Sequence, residues 1–130
     1  MNIENAVKKA SQILKNHNIY SHELDAQIIL SDIIGIKREF LITSSEINIS
    51  EKVIEKYDIA IRRRIQNEPV AYITGKKEFW SENFTVNQGT LIPRPETELL
   101  IYKLINFFKN KRINILDIGT GTGCILLSIL

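Results

Sequence analysis

Apolar residues recur through the first half of the chain at the three- and four-residue steps of amphipathic helices. Ile3, Val7, Ala10 and Leu14 share one face of a segment that runs to Asn16, with Lys8, Lys9 and Lys15 elsewhere. Asn2 is placed to cap its free N–H groups. Ser21 is the expected N-cap of a second helix, with Glu23 and Asp25 in the first turn, where the helix dipole favours negative charge. Leu24, Ile28, Leu30, Ile33 and Ile34 give that helix a wide apolar face, and Gly35 is placed to end it in the left-handed conformation. Lys37 to Thr43 predicts one more helical turn or two, and Ser44-Ser45 a loop. Ser50 then caps a helix through about Asn67, with Ile54, Tyr57, Ile61 and Ile65 on one face and Pro69 as its stop. Residues 1–75 read as a small all-α domain.

From Gly75 the period changes. Glu78-Phe79-Trp80 and Phe84-Thr85-Val86 are β-rich pieces around a polar turn, Ser81-Glu82-Asn83, and predict a hairpin over 76–90. Such a hairpin is marginal by itself, so it is expected to serve as a packed connector with Trp80 buried in the junction. Pro93 holds Ile92 extended, and Pro95 suits the first turn of a helix with Glu96 and Glu98 at its positive end. Leu100, Leu104, Ile105 and Phe108 carry that helix to about Asn110. Ile113 to Ile118 is then a nearly continuous apolar run, the pattern of a parallel strand buried on both faces. Gly119, Gly121 and Gly123 follow at alternate positions, and Cys124 to Leu130 fits the start of a helix. Strand, glycine turn and helix together predict the first βα unit of a doubly wound sheet. The expected class is therefore α+β overall: a helical domain over 1–75, a hairpin over 76–90, and the start of a second domain over 91–130.

Composition narrows the setting. In 130 residues, 44% hydrophobic and 25% charged content are ordinary for a globular protein. A net charge of +2 is too small to argue for nucleic acid. The single cysteine, Cys124, forms no internal disulfide and suits a reducing compartment. No signal peptide is recognisable, and no apolar run approaches the ~18 residues of a membrane span, so a cytoplasmic location is expected. Arg62-Arg63-Arg64 and Lys109-Asn110-Lys111-Arg112 lie at predicted helix ends, where the dipole favours cations; that reading outweighs a nucleic-acid patch. His17 and His22 have no ligand partner at helical spacing, so no metal is expected, and no nucleophile–base pair stands out.

The glycine turn carries the chemistry. Its residues Gly119, Thr120, Gly121, Thr122 and Gly123 are the candidate cofactor-binding set. A dinucleotide fingerprint would place its third glycine at position 124, which is Cys, and a phosphate-binding P-loop would need a following Lys. Asp117 instead closes the strand two places before the first glycine. A carboxylate there repels a pyrophosphate and suits a cationic ligand with an amino group. S-adenosylmethionine is such a ligand, and the spacing resembles the first motif of the Rossmann-like methyltransferases. A dinucleotide enzyme and a ligand-free turn remain open on this motif alone. Arg94 and Thr97 fall at a helix mouth, where they either reach a ligand or, for Arg94, pair with Glu96 or Glu98.

Four pieces then combine: Glu68-Pro69-Val70-Ala71-Tyr72-Ile73-Thr74-Gly75; Glu78-Phe79-Trp80; Leu91-Ile92-Pro93-Arg94-Pro95-Glu96-Thr97-Glu98; and Leu116-Asp117-Ile118-Gly119-Thr120-Gly121-Thr122-Gly123. In this order and spacing they closely resemble the release-factor glutamine methyltransferases, the HemK-like family, and Asp25-Ala26 fits its N-terminal domain. The resemblance runs from about residue 20 onward and is most specific at Pro93 to Glu98. It implies a truncated Rossmann-like (class I) S-adenosylmethionine-dependent domain after the hairpin. It also implies methyl transfer to the amide nitrogen of the Gln in the Gly-Gly-Gln motif of peptide-chain release factors, which are then the protein partners. Gly119 to Gly123 would line the cofactor, Asp117 would lie behind its amino end, and Arg94 and Thr97 would stand in the nearby wall. The family's Asn-Pro-Pro-Tyr motif, which holds the substrate amide, does not occur in the chain. No catalytic residue is assigned, and the 130-residue chain alone is expected to be inactive. Two alternatives stand beside this: a stand-alone helical module that binds a release factor without chemistry, and a fragment of a dinucleotide-dependent oxidoreductase.

Overall fold

Asn2 opens the first helix, α1 (Ile3–Asn16): its side-chain oxygen accepts from the Asn5 N–H at 2.9 Å. Ile3, Ala6, Val7, Ala10 and Leu14 form the buried face, as the spacing predicts. The free N–H groups of Ile3 and Glu4 donate to the carbonyls of Ile47 and Ser45, both at 3.0 Å, so a loop distant in sequence completes the cap. The computed structural model describes residues 1–130, and the helices of its first unit, Met1–Thr74, continue with α2 (His22–Ile34), α3 (Arg38–Thr43), α4 (Glu51–Ile65) and α5 (Val70–Thr74). Ser50 caps α4 by accepting from the Val53 N–H at 3.4 Å, and Gly35 ends α2 at φ 81°, both at the expected places.

Two helix ends turn on asparagine. After α1, Asn18 takes φ 60°; its N–H donates to the Lys15 carbonyl and that of Ile19 to the Leu14 carbonyl. After α4, Asn67 takes φ 63°, with the same pair of bonds to the carbonyls of Arg64 and Arg63. Both are Schellman ends, in which a left-handed residue lets the chain satisfy carbonyls that the helix leaves free. Asn67, not Pro69, is therefore what stops α4; Pro69 accepts from the N–H groups of Tyr72 and Ile73 and starts α5, which the sequence pattern did not indicate. Asn67→Gly is expected to change stability by less than about 0.5 kcal/mol, and Asn67→Val to cost about 1–2 kcal/mol, read from urea midpoints.

The core of this unit gathers Leu14, Ala26, Ile29, Leu30, Leu41, Tyr57 and Ile61. The Tyr57 hydroxyl donates to the Ala26 carbonyl at 2.8 Å. Burial, with a smaller contribution from the Asp58 charge, pushes that phenol's pKa well up. The buried side of α2 is the predicted one only in part: Leu30 is fully buried and Ile33 and Ile34 pack against the core as expected. Asp25, Ala26, Ile29, Leu30 and Ser31 are inside, while Leu24 is 43% exposed. Ser21 does not cap α2 through its side chain; its hydroxyl donates to Asp25 at 2.7 Å.

In the second unit, Gly75–Leu130, strands β1 (Lys76–Phe79) and β2 (Glu82–Thr85) pair antiparallel, with Lys77 opposite Phe84 and Phe79 opposite Glu82. The hairpin turn is Trp80-Ser81, at φ 52° and 62°, not the Ser81-Glu82-Asn83 expected from polarity. The register puts Phe79 and Phe84 on one face, edge to face at 6.2 Å. They pack with Ile101 of α6 (Thr97–Phe108) and Cys124 of α7 (Cys124–Ile129), and Trp80 lies half-buried against this cluster. On α6 the buried residue is Ile101, whereas Leu100 and Ile105 are exposed.

The predicted strand at 113–118 is not formed. Residues 111–117 have no helical or ladder assignment, and the only sheet is the two-stranded hairpin. A parallel strand exists only beside a neighbour that accepts its hydrogen bonds, and the chain presents none. The observed architecture is thus helical with one small antiparallel sheet. No helix is long and apolar enough to cross a membrane.

Candidate ligand-binding turn

The glycine turn links the irregular stretch at 113–117 to α7. Gly119, Gly121 and Gly123 take φ 74°, 56° and 77°, so all three sit where a Cβ is strained. Crowding is not the reason for glycine at the first two. A Cβ at Gly119 would meet no atom within 4 Å, and one at Gly121 only the Gly119 carbonyl oxygen, at 4.0 Å. At Gly123 a Cβ would touch Leu127 at 3.4 Å. The space beside Gly119 and Gly121 is open to an approaching molecule.

The two threonines have work inside the turn. Thr120 donates its hydroxyl to the Asp117 carboxylate at 2.9 Å, and its carbonyl accepts from the Gly123 N–H at 2.8 Å. The Thr122 hydroxyl accepts from the Cys124 N–H at 3.3 Å and so caps α7. Thr120 and Thr122 therefore shape the turn with their side chains, and what they offer a ligand is backbone. Asp117 is half-buried and held in place by Thr120. No group of three His, Cys, Asp or Glu side chains converges as a metal site.

Arg94 makes no ion pair: Glu98, one of its two expected partners, instead accepts from the Trp80 N–H at 2.9 Å. Thr97 donates its N–H to the Arg94 carbonyl at 3.0 Å and opens α6. The role of Glu98 was invisible in the sequence, because its partner is a main-chain group in a turn that begins one residue earlier than expected. Removing the acceptor in Glu98→Ala leaves a half-buried N–H in a strained turn, at an expected cost of about 1–2 kcal/mol. Trp80 is the only tryptophan, so a red shift of its emission reports the loss.

In the first unit the polar side chains are spent on structure. Asp25, 5% exposed, accepts from Ser21 and from the Arg64 Nε at 2.7 Å. Arg63 donates two bonds to Glu68, at 2.7 and 2.6 Å, and a third to the Tyr72 carbonyl at 3.3 Å. The Glu68 bond pushes the pKa of the Arg63 guanidinium up. Arg63 and Arg64 thus tie the end of α4 to α5 and α2, a more specific task than complementing a helix dipole. The Ser11 hydroxyl and His22 Nδ1 lie 2.8 Å apart and join α1 to α2.

Comparison with known proteins places these features. Residues 5–75 match the family described as the PrmC N-terminal domain. A release factor glutamine methyltransferase of Buchnera aphidicola subsp. Schizaphis graminum is 41% identical over 129 residues, which cover 99% of this chain and 46% of that protein. Proteins of the same name from Leptospira interrogans and Haemophilus influenzae are 41% and 38% identical over 95% and 92% of the chain. The chain spans about half the length of these relatives: 46%, 44% and 43%.

Proposed function

The chain belongs to the PrmC N-terminal domain family, and from that membership we propose that it is the N-terminal part of a methyltransferase acting on release factors. The methyl group of S-adenosylmethionine passes to the side-chain amide nitrogen of the Gln in a Gly-Gly-Gln motif. The observation that carries this reading is the similarity over 99% of the chain to a protein named for that activity. The dinucleotide alternative is set aside, because the relatives similar to this chain over 99% and 95% of its length are named as methyltransferases.

In this reading residues 1–75 hold the release factor, 76–90 connect, and 91–130 begin a Rossmann-like domain in which 113–118 becomes a strand once neighbours are present. Gly119 to Gly123 approach the cofactor with bare backbone, and the room at Gly119 and Gly121 supports that fit. Asp117, held by Thr120, is an anion suited to the ligand's ammonium group. When bound, S-adenosylmethionine supplies an electrophilic methyl on a sulfonium. The chain's own part is to orient that cation. Arg94, exposed and unpaired, is available at the start of α6.

The test is mass spectrometry of a release factor incubated with S-adenosylmethionine and the full-length protein. A gain of one methyl on the Gly-Gly-Gln peptide supports the proposal; an unmodified peptide overturns it. The helical-module alternative has one observation in its favour, that residues 1–74 form their own core. We expect residues 1–75 to show helical circular dichroism and a cooperative melt alone, because residues 1–74 form a compact unit around their own buried core. A featureless spectrum would refute the division. If pull-down shows that residues 1–75 bind a release factor as well as the longer chain does, recognition resides there.

A further inference from the structure

We propose that the hairpin is the mount of the glycine turn: Phe79 and Phe84 are positioning residues that fix where the turn stands, acting through Cys124. This rests on the reading of Gly119 to Gly123 as the cofactor turn. The turn's hydrogen bonds stay within residues 117–127. Thr120 donates to Asp117, Gly123 to Thr120, Cys124 to Thr122 and Leu127 to Gly123. These bonds give the turn its shape and leave its place in the unit to packing. Gly119, Thr120 and Gly121 are exposed and anchor nothing. Cys124, joined directly to Gly123, is 7% exposed and is the one buried residue of α7. It is covered by the hairpin's two rings, Phe79 and Phe84, together with Ile101 of α6.

The mount is itself fixed. The strand register sets both rings on one face, edge to face at 6.2 Å. The Glu98 carboxylate, at the start of α6, holds the Trp80 N–H at 2.9 Å, and Trp80 lies against the same cluster. A braced pair of rings therefore meets a loose turn at one small side chain. Three glycines in five residues give that turn much backbone freedom to lose. A ligand that has to order its site binds more weakly than one that finds the site ordered. The small Cys124 lets α7 start close to the rings, and a branched side chain there would push the turn away from them. The hairpin thus does more than connect: it sets the turn in one place before a cofactor arrives.

Because Cys124 is the only cysteine, its contact with the rings can be measured without a cofactor. In the 130-residue chain dithionitrobenzoate is expected to modify it slowly, and at least about tenfold faster in Phe84→Ala. In the full-length protein, calorimetry with S-adenosylmethionine is expected to show a dissociation constant raised at least about tenfold in Phe84→Ala and in Cys124→Val. Phe84→Leu, which keeps the cover, is expected to bind as the wild type does. KM should rise for the cofactor and stay unchanged for the release factor, a split that general loosening of the fold would not give. Cys124→Val keeps both rings and decides the matter if Phe84→Ala fails to fold. Equal thiol rates, or wild-type affinity in Phe84→Ala or Cys124→Val, overturn the positioning role alone. A wild-type protein that binds no S-adenosylmethionine overturns the cofactor reading, and the positioning role with it.

Discussion

Asp25→Ala is expected to destabilise the first unit by about 3–5 kcal/mol, the cost of removing one partner from a buried ion pair. The pair is enclosed: the side chains of Asp25 and Arg64 are 7% and 16% exposed, with 2.7 Å between Oδ2 and Nε. Truncation leaves the guanidinium with the Glu68 carbonyl at 3.3 Å and strips the Ser21 hydroxyl of its acceptor. Domains are typically stable by only about 5–15 kcal/mol, so the loss is a large share of the whole. A thermal melt by circular dichroism reads it directly. The cost arises from the orphaned charge more than from the pair's attraction. The double variant Asp25→Leu, Arg64→Met should therefore recover most of it, since apolar residues of similar size often replace a buried pair at little loss. A loss below about 1 kcal/mol in the single variant would mean that Arg64 swings out to water and that the pair does not fix the packing of α2 on α4.

Signals that act within one turn of chain were legible. Asn2 and Ser50 cap, and Gly35 terminates, where their chemistry says they should. The face of α2 was legible only in part, Leu30, Ile33 and Ile34 but not Leu24, because that helix is apolar on several sides. Which side goes inward is decided by Asp25 meeting Arg64, 39 residues away in sequence. The hairpin was legible as a hairpin, but nothing in Trp80-Ser81 announces two left-handed residues. The turn is held by Glu98, again from a separate element. At the candidate site, the alternate glycines do lie in a turn, each at a positive backbone angle, whereas Asp117, expected to close a strand, follows an irregular stretch and is bound by Thr120. What spacing could not reveal is that Thr120 and Thr122 spend their hydroxyls inside the turn. The run at 113–118 shows the limit of pattern reading. It states which residues want to be a strand, whereas a strand also needs a neighbour.

Residues 1–130 alone are expected to transfer no methyl group, even if the proposed function is correct. An amide nitrogen is a poor nucleophile because its lone pair is delocalised. Its reaction depends on acceptors that turn the NH₂ toward the methyl group and hold the reacting atoms about 3–3.5 Å apart. Such positioning is worth effective molarities of about 10⁵–10⁸ M, and without it the rate falls to that of the free reactants. The turn that would seat the cofactor is exposed, and the stretch leading into it has no ladder to fix it. The carboxylate nearest the turn, Asp117, is already bound to Thr120. Incubating the purified 130-residue chain with labelled S-adenosylmethionine and a release factor should therefore leave the label at background, while the full-length protein modifies the same preparation. Stoichiometric labelling by residues 1–130 would instead place the groups that orient the amide within this chain. Arg94 and Asp117 would then be the first side chains to replace.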